Sequence, residues 1–133
     1  MADTAIPSPR SLLSRILQIQ GVYYLLTGVW PLLSIRSFQA ITGPKTDLWL
    51  VRTVGALVAV IGAVLTWGSE QSQGERQTVA LACGSAASLT AVESYYALRH
   101  RISAIYLLDA VAEIALIAAA LYAWRLRQTT EPS

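Results

Sequence analysis

Charge is scarce in this sequence. Asp, Glu, Lys and Arg make up 14% of its 133 residues, against about 25% in an average soluble domain. A small soluble domain needs charged residues to cover a surface that is large for its volume. The scarcity therefore points to lipid as the solvent, and so do a hydrophobic content of 54% and a mean hydropathy of +0.47. Cysteine is nearly absent. Cys83 stands alone, which excludes an intrachain disulfide and a Cys-based metal site; in "ALACGSAA" it reads as a small buried apolar residue. The single histidine, His100, lies in the basic turn "RHR". A di-iron bundle needs Glu-x-x-His motifs from facing helices, which a lone His in a turn fits poorly. A Gly-rich phosphate loop, a Ser or Cys nucleophile with a partner His, and a retinal-type Lys inside an apolar run are all missing. The net charge of +2 is small and its Lys and Arg are scattered, which argues against nucleic acid as a partner. Nothing names a cofactor or a metal.

What the sequence does have is four long apolar stretches, at about 12–35, 47–67, 77–98 and 103–124. Each is near the ~20 residues that cross a bilayer as a helix. All are Leu- and Ala-rich and too long for strands. The sequence predicts one all-α domain over 1–133, an integral membrane four-helix bundle, with polar and mobile tails at 1–8 and 128–133. Ser8 and Pro9 suit a helix cap and first turn. Arg10 and Arg15 give the first stretch a basic start, but the run is long and no small-x-small cleavage site follows, so it reads as an uncleaved helix. Four spans put both termini on one side. That side carries Arg10, Arg15, Arg76, Arg125 and Arg127; the other carries Arg36, Lys45, Arg99 and Arg101. The difference favours cytoplasmic termini, and its narrowness leaves mixed insertion open.

The polar residues inside the spans gather toward the side of the loops 36–46 and 99–102. Arg52 and Glu93 lie about 9 Å in at the helical rise, Asp109 ~10 Å and Glu113 ~16 Å, near the midplane. Tyr24, Thr27, Trp30, Trp49, Tyr96 and Tyr106 share that half. Tyr106, Asp109 and Glu113 are spaced i, i+3, i+7, one stripe of the fourth helix. Thr90, Glu93 and Tyr96–Ala97 form one side of the third. Arg52 heads a line of small residues, Gly55, Ala59, Gly62 and Thr66, which suits close helix packing, so Arg52 is expected to face the bundle. Gln20, Tyr24, Thr27 and Trp30–Pro31 share a side of the first helix, which Pro31 is expected to bend.

Insertion energies limit where the acids can point. Eight Leu, Ile or Val residues between Ala104 and Trp124 supply about −2 to −5 kcal/mol, and two central acids at roughly +2.5 to +3.5 kcal/mol each would cancel that. The acids must face partners inside the bundle. Glu93, Asp109 and Glu113 stand against Arg52 alone, leaving two excess negatives. A dry pocket cannot hold two unpaired carboxylates. Either at least one acid keeps its proton at neutral pH, or the pocket holds water or a cation.

The candidate pocket residues are thus Arg52, Glu93, Asp109, Glu113, Tyr24, Thr27, Trp30, Tyr96 and Tyr106. Plainer roles compete. Asp47 complements the dipole at a helix start. Arg52 serves either as partner to Glu93 or Asp109 or as a ligand contact. Trp49, Trp67, Trp124 and Tyr122 read as an interfacial belt, and Trp30 and Tyr106 fit either belt or pocket.

The stretches "FQAITGPKTDLWLVRTVGALVAVIGAVL" and "ALRHRISAIYLLDAVAEI" resemble a recurring type of uncharacterised small four-helix bacterial membrane protein. The architecture alone also resembles the DoxX-like and emopamil-binding (EXPERA) groups. The resemblance implies a bacterial inner-membrane location and no activity. Three functions fit the residues. One is a pocket for a small apolar or amphipathic molecule, in which Glu113 or Asp109 would be the proton donor of any chemistry. The second is proton-coupled transport, which requires a dimer to complete a path. The third is a structural or assembly subunit whose buried ion pairs set helix partners.

Overall fold

The computed structural model describes residues 9–130. The cap expected at Ser8, and residues 1–8 and 131–133 of the expected tails, lie outside them. Five helices form among the described residues, with no strand: α1 (Pro9–Leu33), α2 (Ile35–Thr42), α3 (Leu48–Gly68), α4 (Glu75–Leu98) and α5 (Ile105–Thr130). Four are the long stretches predicted above, with two corrections. Residues 128–130, expected in a tail, continue α5. Residues 36–46, expected as a loop, begin with α2. Its N-cap is Ser34, whose hydroxyl accepts from the Ser37 backbone N–H at 3.4 Å. The Trp30 indole N–H donates to the Ser37 hydroxyl at 2.8 Å, and Phe38 meets the Trp30 ring edge to face. α2 stops at Gly43, whose φ of +95° few other residues adopt; its N–H donates to the Gln39 carbonyl.

Three helices are long and apolar enough to cross a membrane: α1 from Arg10, α3 and α5. α4 has the length without the same apolarity. Glu75, Arg76 and Gln77 open it, and Thr78, Ser85, Ser88, Thr90, Glu93 and Ser94 interrupt its apolar residues. Each hydroxyl or charge offsets a good part of what an alanine-rich helix gains by leaving water.

α1 is the hub. It packs most closely on α3, through the small residues the sequence marked. A Cβ on Gly28 would sit 2.5 Å from the Gly55 carbonyl oxygen, and one on Gly62 would sit 2.5 Å from the Leu25 nitrogen. Only hydrogen fits at such a crossing. α4 packs on α5, where Ala82, Ala86, Ala110, Ala120 and Ala123 are buried. α3 and α5 do not pack closely on each other.

The two halves of the molecule differ. Leu13 and Leu17 of α1, Leu65 of α3, Val79 and Ala82 of α4 and Ala123 of α5 form a dense core where α1 and α4 begin and α3 and α5 end. That end is laced by the Ser14 hydroxyl donating to the Ser69 carbonyl at 2.7 Å and by an ion pair between Glu75 and Arg127. The other half, under α2, is hollow. Around the outside runs a skin of exposed Ile19, Leu26, Leu57, Val60, Val111 and Ile114. Monomeric soluble proteins rarely present so continuous an apolar surface.

Candidate functional site

The hollow half encloses a cavity of about 540 Å³, within the range of small-molecule sites. Its walls are largely apolar: Tyr23, Gly28 and Pro31 from α1, Leu50, Val51, Val54 and Val58 from α3, Leu89 from α4, and Ile105 and Leu108 from α5. One end is closed by Phe38, Ile41 and Thr42 of α2 and by Lys45 in the link to α3. Wall residues Leu50 and Val54 are about half exposed and Leu108 is 70% exposed. Because α3 and α5 stand apart, the cavity opens sideways between them.

The polar side is built by α1, α4 and α5. Glu113, 1% exposed, accepts a hydrogen bond on Oε2 from the Tyr24 hydroxyl at 2.5 Å. Its Oε1 is buried and has no partner among the described residues. Glu93, 9% exposed, likewise keeps Oε2 without one, as does the Thr90 hydroxyl one turn earlier on α4. Asp109, one turn before Glu113, completes the carboxyl group of three. No ion pair reaches any of the three among the described residues. Nor is any group of three or more His, Cys, Asp or Glu placed to hold a metal ion. Three neighbouring polar side chains are already engaged. The Thr27 hydroxyl donates to its own helix at Tyr23, the Trp30 indole donates to Ser37, and Gln20 donates to the Ala82 carbonyl below the cavity. Thr27 and Trp30 thus offer mainly apolar surface to the cavity.

The lining unites Tyr24, Thr27, Trp30, Glu93, Tyr106, Asp109 and Glu113, as the stripes on the sequence suggested. Two candidates are corrected. Arg52 is exposed and outside the cavity. On α3 the inward stripe is Val51, Val54, Gly55 and Val58, so Arg52 is turned about 100° away from Val51. The small-residue line does face inward, but its head does not. Tyr96 is 45% exposed and packs edge to face on Tyr95, while Ala97 takes the inward position.

The cation at the cavity is Lys45, which span counting missed because it sits in a link. Its ammonium donates to the Thr42 and Gly43 carbonyls at 3.0 and 3.2 Å and lies 5.1 Å from the Tyr106 ring centre. Those carbonyls end α2, where a cation complements the helix dipole. Phe38, Ile41 and Thr42 were missed with α2 itself. Their signal was the i, i+3, i+6 spacing of Ile35, Phe38 and Ile41 after Ser34. No family model, curated protein or solved structure matches this chain.

Proposed function

We propose that this protein is an integral membrane four-helix bundle whose cavity binds a small apolar or amphipathic molecule. In this reading α1, α3, α4 and α5 span the bilayer of a bacterial inner membrane and α2 lies at its surface, with the termini in the cytoplasm. α4 spans with the others because Thr78, Glu93 and the buried alanines are covered by its neighbours. Arg52 then extends along lipid toward the headgroups, as long basic side chains do.

The observation that carries the proposal is the cavity: apolar-walled, acid-floored, and open between α3 and α5 toward the region lipid would occupy. A molecule dissolved in the bilayer would reach it without passing through water. The packed half closes the bundle beyond it, which favours a binding site over a path across the membrane. The assembly reading would rest on ion pairs between helices; the exposure of Arg52 takes away its expected pairing with the cavity acids, and the Glu75–Arg127 pair lies in the packed half, away from the cavity.

The test is thermal unfolding of the protein in nanodiscs of zwitterionic lipid, with and without 1-dodecanol. A ligand that binds only the folded state raises the midpoint as its concentration passes Kd. A saturable rise is expected. It should be lost in Leu89→Trp or Val51→Trp, either of which fills the cavity. A rise unchanged in both folded variants would place binding elsewhere and overturn the proposal.

A further inference from the structure

The unpartnered oxygens on the cavity floor define what the occupant must carry, if the cavity is the ligand site proposed above. We propose that the ligand is a single-chain amphiphile whose head donates a hydrogen bond, a hydroxyl or an amine, to the free oxygen of Glu113.

Glu113 is 1% exposed, and Tyr24 holds one of its oxygens at 2.5 Å. Oε1 is left as a buried acceptor beside open space. Glu93 Oε2, also at the cavity, is a second buried oxygen without a partner among the described residues. A buried acceptor left unpaired costs its full desolvation, so a group that satisfies it is strongly preferred over one that cannot. Among the described residues no donor reaches Glu113 Oε1. Lys45 is held at the opposite, α2 end by two carbonyls, Arg52 is outside, and Thr27 and Trp30 have spent their donors. An ether, ester or carboxylate head presents only acceptors to Glu113 Oε1 and leaves it unpaired. The apolar walls and the gap between α3 and α5 take a chain rather than a second polar group, so the head lies at Glu113 and the tail runs toward Leu108 and Val54.

The experiment compares 1-dodecanol with dodecyl methyl ether, the same chain without the O–H, by titration into protein in zwitterionic nanodiscs. The alcohol is expected to bind ~10–100-fold more tightly, the factor by which an unpaired buried acceptor is disfavoured against a paired one. Dodecylamine should bind at least as well as the alcohol, and dodecanoate should bind worse. Glu113→Gln gives the inference its sharpest form. The amide oxygen can still accept from Tyr24, which turns the amide N–H₂ toward the cavity. The preference should then shrink or reverse in favour of the ether. Equal binding of alcohol and ether to the natural protein overturns this inference and leaves the proposed function standing. So does a preference for the alcohol that survives in Glu113→Gln. Tightest binding of dodecanoate would place the head at Lys45 and also overturn it. Binding of none of the four probes overturns the proposed function itself.

Discussion

At the scale of single residues, the Tyr24–Glu113 hydrogen bond holds the floor of the cavity. Both side chains are almost fully buried, so each is costly without the other. Tyr24→Phe leaves both Glu113 oxygens unpaired and is expected to destabilise the protein by about 1–3 kcal/mol. Adding Glu113→Leu should recover much of that loss, a coupling that a double-mutant cycle of unfolding free energies would read. If the two changes simply add, the bond contributes nothing. Arg52→Met should change stability by less than about 0.5 kcal/mol, as exposed substitutions do. A larger loss in the same measurement would return Arg52 to the interior. The acids and aromatics of the site were legible because i, i+3, i+7 spacing fixes a helix face within a few tens of degrees. That tolerance also explains the errors. Val51 and Arg52, or Ala97 and Tyr96, differ by one position and about 100°, and the sequence offers two plausible phases for each.

At the scale of elements, the α1–α3 crossing is the most constrained contact. Gly28 and Gly55 each place a would-be Cβ within 2.6 Å of the other's carbonyl oxygen. Gly28→Ala or Gly55→Ala must push two backbones apart, with an expected cost of about 1–3 kcal/mol. Gly84 on the outer side of α4 meets nothing within 4 Å. Gly84→Ala should therefore be neutral or stabilising by up to about 1 kcal/mol through helix propensity. Denaturant unfolding of the three variants would check both; equal losses at all three would mean that the crossing is looser than described. The small-residue line of α3 was readable in the sequence because only close approach explains glycine at that spacing in an apolar helix. α2 was not readable in a search for runs that span a bilayer, being eight residues long. Its signal is local: the Ser34 cap, the apolar period, and the Gly43 stop.

At the scale of the whole molecule, one end is filled and the other is hollow, and exposed apolar side chains surround both. Burial of polar groups toward the loops, read from depth along each helix, anticipated this division. It could not anticipate the sideways opening, which depends on α3 and α5 failing to meet. The sidedness proposed above is tested by reporter fusions. Fusions after Arg127 and within 40–46 should report opposite sides, the first cytoplasmic; the same side for both would break the four-span arrangement. The central claim is that the cavity holds a small molecule drawn from the membrane. Native mass spectrometry of the protein released from its own membranes tests it most directly. One retained amphiphile per chain is expected, absent from Leu89→Trp and from Val51→Trp. Equal retention by the filled variants, or none by the natural protein, would contradict it.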